Sequence, residues 1–227
     1  MMELLTRAWH WILGATNFWS AFFATVFGAL AAFELERRHR RRERISSECA
    51  KGNSLISTLG RMLTVLENLQ ATLPPLKDGK PIADSFKPIT GIPSNLPSIT
   101  FADLDFLLET NNPADPCAQV HGRIAHAQAQ FDSAITYFAE RNELAQQYQT
   151  NSLVLARGEE AIGPRLQADA LKHELSHFAV ELDKGIVARI KLFKEIIGEL
   201  RAALTKRYPG RQFLRLFPTD DAKSPAV

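Results

Sequence analysis

Residues 11–33, WILGATNFWSAFFATVFGALAAF, form a run of 23 positions without a charge, and the next stretch, ELERRHRRRER (34–44), holds six arginines. No other feature constrains the chain as tightly, because a helix crosses the hydrocarbon core of a bilayer with about 20 predominantly apolar residues. A cleaved secretory signal has an apolar stretch of only about 7–15 residues behind a positive start. Here Arg7 is offset by Glu3 and the stretch is longer. The run therefore reads as a transmembrane anchor, with residues 1–36 as amino-terminal segment and membrane helix. Trp9 and Trp11 fall at its leading edge, where indole rings favour the headgroup region. Thr16, Asn17, Ser20 and Thr25 are polar positions that a membrane helix tolerates against a partner helix.

Arg37, Arg38, Arg40, Arg41, Arg42 and Arg44 follow directly. Arginine-rich flanks remain cytoplasmic and are attracted to anionic headgroups. The pattern predicts lipid-headgroup contact by these six residues, an external amino terminus, and a cytoplasmic carboxy-terminal part on the plasma (inner) membrane. Ala24, Gly28 and Ala32 recur every fourth position and line one helix face. Small residues at this spacing let backbones approach closely, so they are the expected packing face of a homo-oligomer.

The net charge of +2 over 227 residues does not suggest a nucleic-acid binder, since no broad basic face can be built from it. The two cysteines, Cys49 and Cys117, are too few for a disulfide framework or a metal-ligand pattern and read as small buried hydrophobes.

Beyond the basic run the spacing is helical. Ile45, Cys49, Ile56, Leu59, Leu63, Leu66 and Leu73 make a heptad-like stripe with gaps at Gly52 and Gln70, and KGNS (51–54) is the one plausible break. Residues 37–73 thus form a basic juxtamembrane run and helix. Six prolines between Pro74 and Pro97 exclude a helix over 74–99, yet Phe86, Ile89 and Ile99 give that connection apolar residues with which to pack. Residues 100–210 read as a helical bundle. Thr100 and Asp103 cap a short helix, FADLDFLLET. Asp115 and Pro116 open a long helix with Cys117, Val120, Ile124, Phe131, Ile135, Phe138 and Tyr148 on its stripe. Pro164 opens another, ending at YPG (208–210). QFLRLF (212–217) is the sole strand-like stretch, and 211–227 reads as a flexible tail. The fold class is all-α: one amino-terminal transmembrane helix followed by an antiparallel bundle of long helices.

One motif carries possible chemistry. HELSH places His173, Glu174 and His177 on one helical segment. Imidazoles four apart share a face and can bind zinc, with the glutamate as general base on a metal-bound water. Metallopeptidases with this signature add a third ligand, and Glu195 and Glu199 lie 18 and 22 positions after His177. On an unbroken helix Glu195 would be about 27 Å away, at 1.5 Å per residue. The phase also places Leu171, Leu175, Phe178 and Leu182 together, with both histidines on the opposite, solvated side. AERNEL (139–144) has an arginine–polar pair but lacks the following histidine of helical ribonucleases. No glycine-rich phosphate loop is present.

The leading expectation is a non-enzymatic interaction or signalling protein, with the lipid bilayer, a second copy of itself and an unidentified protein as partners, and no cofactor. A membrane-anchored zinc hydrolase using His173, Glu174 and His177 is the first alternative. The second is a membrane effector whose cytoplasmic bundle gathers several anchors to permeabilise the bilayer.

Overall fold

The computed structural model describes residues 2–74, 76, 81, 86–89, 95–108, 115–156 and 162–217, and for 2–21, 154, 156 and 162–165 the backbone alone. The elements are α1 (Met2–Thr72), α2 (Phe101–Leu104) running into a 3-10 turn (Asp105–Leu107), α3 (Pro116–Ala156) and α4 (Ile162–Arg207). No strand occurs among the described residues, so QFLRLF is not one. The chain divides into two units, Met1–Glu48 and Cys49–Val227.

The transmembrane part of the sequence reading finds no support in these residues. No helix among them is long and apolar enough to cross a membrane. The side chains of 11–21 lie outside the described set, and 22–33 alone falls short of the ~20 residues that a crossing needs. Residues 111–114, the first four of NNPADP, and the tail 218–227 also lie outside it.

In the second unit, α3 and α4 form an antiparallel hairpin. As numbers rise along α3 their partners on α4 fall: Arg123 bonds Glu199, Phe131 stacks near Phe193 at 6.4 Å, Tyr137 near Phe178 at 5.8 Å, and Ala145 packs with Leu175. The seam is built from Cys117, Val120, Ile124, Phe131 and Phe138 against Leu175, Leu182, Ile186, Phe193, Ile197 and Leu200, all buried, whereas Ile135 and Tyr148 of the predicted α3 stripe are only half-buried. Ala127, Ala134 and Ala145 fill further α3 seam positions.

The 49–72 part of α1 lies antiparallel to α4, with Gly52 against Leu204 and Glu67 paired to Lys194 at 2.9 Å. Its stripe is wider than a two-helix seam: Leu55, Ile56, Leu59, Met62, Leu63, Leu66 and Leu69 are all at most 3% exposed. A face of about three positions in seven suits a bundle helix rather than a coiled-coil strand. The heptad-like stripe is therefore consumed inside the chain and is not available for pairing with a second copy.

KGNS does not break the helix. Instead, Gly52 and Gly60 admit neighbours. A Cβ on Gly52 would meet Leu204 Cδ1 at 2.8 Å, and one on Gly60 would meet Leu216 Cδ1 at 2.5 Å. The 211–217 segment docks there as a strap: Phe213 is buried beside Tyr208, and the Leu214 N–H donates to Asn53 Oδ1 at 3.0 Å.

Antiparallel pairing of α4 with both neighbours makes α1 and α3 parallel, so a long crossover must join them. Phe86 reaches the far half of the hairpin beside Ala145 and Leu175. The chain then returns: the Ile99 N–H donates to Gln128, and Arg207 donates to the Phe106 carbonyl at 2.9 Å, beside the start of α3. Thr100 and Asp103 form the expected capping box.

Truncation of the seam should be costly. Phe193→Ala, at a fully buried position, should lower unfolding free energy by about 3–5 kcal/mol. Val187→Ala, half-exposed on the same helix, should change it by under about 0.5 kcal/mol. Urea titration followed by circular dichroism measures both, and equal losses would disprove this seam. A second expectation concerns the thiols. Burial pushes the Cys117 thiol above its ordinary pKa, so it remains protonated to higher pH than an exposed cysteine. Iodoacetamide at pH 8 should therefore modify native Cys49 first, and Cys117 only on unfolding; comparable native rates would show that the start of α3 opens readily.

Candidate functional site

The HELSH residues fall where the phase predicts, on the exposed side of α4. They are not isolated there. His173, Glu174 and His177 line a groove of about 720 Å³ together with Tyr137, Phe178, Glu181, Lys184 and Arg189. Tyr137 comes from α3, which is why the groove is invisible in the sequence of α4. Phe178 departs from expectation. It is half-buried at the margin of the apolar face, against the Tyr137 ring, and belongs to the groove wall rather than to the seam. Leu171, Leu175 and Leu182 are buried as predicted.

Arg189 closes one end. Its Nε donates to the Gln130 carbonyl at 3.0 Å, and Gly185 leaves room for the guanidinium, since a Cβ there would meet Nη1 at 2.5 Å. The lining thus combines two imidazoles, two carboxylates, two cations and an aromatic pair. Such a surface can bind a polar partner. Among the described residues no group of three or more His, Cys, Asp or Glu side chains could hold a metal ion. Glu195 and Glu199 both face Arg123, at 3.6 Å for Glu195, and α4 is continuous between them and His177.

In the first unit the arginines divide into two sets. Arg38 pairs with Glu34 at 3.0 Å, Arg40 with Glu36, and Arg44 with Glu48 at 2.8 Å. Arg37, Arg41 and Arg42 are exposed and have no carboxylate partner among the described residues. His39 lies 3.1 Å from Glu43. Ala24, Gly28 and Ala32 are exposed, and nothing lies within 4 Å of a Cβ placed on Gly28.

Sequence reasoning noted Arg141 and Asn142 only as the arginine–polar pair of AERNEL and missed the burial of Arg141. It is 1% exposed in the α3 seam, and burial lowers its pKa. Its Nη1 donates to Asn142 Oδ1 at 3.1 Å; the same oxygen accepts the Ile89 N–H at 2.9 Å, while the Asn142 amide donates back to the Ile89 carbonyl. Asn142 thereby clasps the crossover to the hairpin.

No known protein-family model matches the chain, and neither a curated protein nor a solved structure matches it.

Two exposed imidazoles without a third protein ligand should hold zinc weakly. Purified chain passed through a desalting column should carry well under one zinc per molecule, and His173→Ala and Glu174→Ala should each alter stability by less than ~0.5 kcal/mol. Stoichiometric zinc by elemental analysis, lost in His173→Ala, would establish a metal centre instead.

Proposed function

We propose that this is a single-pass membrane-anchored helical protein, oligomeric, whose cytoplasmic bundle works in binding or signalling to a protein partner rather than in catalysis. One observation carries the reading. Phe22, Phe23, Val26, Phe27, Leu30 and Phe33 are between 38% and 66% exposed on α1, immediately before the basic run. Exposed apolar surface on this scale marks a membrane or protein contact. The uncharged sequence continues back to residue 11, which gives the run the length of a bilayer crossing.

The small residues also support the oligomeric part. At about 100° per residue, Ala24, Gly28 and Ala32 fall on the side of the helix opposite the phenylalanines. A helix with bulky side chains towards lipid and small ones towards a partner is the arrangement that close membrane packing favours.

Fractionation and topology test the reading together. The full chain should remain with membranes after alkaline carbonate washing, and removal of residues 1–36 should release it. A reporter active only outside the cytoplasm, fused after Val227, should be silent. Release of the full chain by carbonate would end the anchor reading, and an active reporter would reverse the orientation.

A further inference from the structure

We infer that Arg37 and Arg41, rather than the whole run of six arginines, form the binding site for the phosphate of an anionic phospholipid. The inference rests on the proposed membrane anchoring and adds the ligand class and the residues that select it.

Two observations, each leaving more than two arginines, together leave this pair. The first is charge pairing. Glu34 and Glu36 already engage Arg38 and Arg40, and Glu48 engages Arg44, so part of the charge of these cations is already met by a carboxylate. Arg37 and Arg41 need give up none among the described residues. The second is phase. At about 100° per residue, Phe22, Phe23, Val26, Phe27, Leu30 and Phe33 fan over about 140° of the helix; Arg37, Arg40, Arg41 and Arg44 project within that fan and Arg38 and Arg42 outside it, and of the four only Arg37 and Arg41 carry no carboxylate partner among the described residues. They follow Phe33 by about 6 and 12 Å along the axis. One side of α1 therefore presents an apolar wall and then two guanidiniums, which is the order of acyl chain and phosphate in a phospholipid. Arg42 lacks a carboxylate partner too, but it turns to the other side, where it borders a shallow groove with Ala32 and Leu35.

The same geometry disfavours RNA. A nucleic-acid backbone asks for cations distributed along a track and gains nothing from the phenylalanines. A lipid uses both halves of the stripe, and each arginine near an anionic surface contributes roughly fivefold in affinity.

Two charge-matched double variants separate specific contact from bulk attraction. The full chain, purified in neutral-detergent micelles, is titrated with phosphatidylglycerol or phosphatidylcholine, and bound lipid is counted by native mass spectrometry. Wild type should prefer phosphatidylglycerol. Arg37→Gln/Arg41→Gln should lose phosphatidylglycerol affinity on the order of thirtyfold. Arg38→Gln/Arg40→Gln, with the same change in charge, should lose less than about threefold. Equal losses in the two doubles, or none in the first, would overturn the inference. A wild type that stays in carbonate-washed membranes but shows no lipid preference refutes this site alone; one released by carbonate refutes the anchor and the site with it. Displacement of phosphatidylglycerol by single-stranded RNA through the same two arginines would reassign them to nucleic acid and likewise overturn the inference.

Discussion

The α3–α4 seam is the constraint on which the second unit depends. Ala127, Ala134 and Ala145 are buried small side chains on α3, and Ala145 packs with the larger Leu175 of α4. Interiors pack near crystal density, and small-against-large alternation is how two long helices reach it without voids. α1, the crossover and the carboxy-terminal strap each contact that hairpin.

The parallel relation of α1 and α3 follows from this order of assembly. Once α4 is antiparallel to both, no short turn can join α1 to α3. A connection rich in proline suits such a path: proline blocks helix formation and limits the backbone freedom that an ordered crossover must give up. Asn142 and Gln128 then hold backbone groups of the crossover that have no helical partner, which meets the demand that buried N–H and C=O groups be satisfied.

Much of this was legible in the sequence wherever burial follows period. Ile56, Leu59, Leu63 and Leu66, and on α4 the series from Leu171 to Leu204 apart from Phe178, show the 3- and 4-residue spacing of a buried face. Phe178 failed because it sits at the margin, where phase alone cannot separate seam from groove wall. Gly52 failed for a different reason. A glycine in a helix reads as weakness, whereas here the missing side chain is what admits Leu204 and Phe213, as Gly60 admits Leu216. Arg141 was hidden because charge reads as solvent. For the candidate site, the exposure of His173, Glu174 and His177 was legible from phase, but the groove was not, since Tyr137 and Arg189 reach it from distant positions. The i,i+4 pairing that splits the arginines into two sets is local and needs no tertiary information.

The first unit obeys a different balance. The six bulky apolar side chains between Phe22 and Phe33 are roughly half exposed. Full burial of such a side chain is worth about 1.5–3 kcal/mol, so each one left half in water forgoes roughly 1 kcal/mol. Six together approach the net stability of a whole domain, about 5–15 kcal/mol. The second unit behaves oppositely: of its large apolar side chains, most are driven below a tenth exposed. One chain thus holds a segment that satisfies its apolar groups internally and another that leaves them outward on a helix stretch followed by guanidiniums. For the proposed anchor, a medium apolar beside the phenylalanines and anionic beside the arginines would meet both sets of side chains at once.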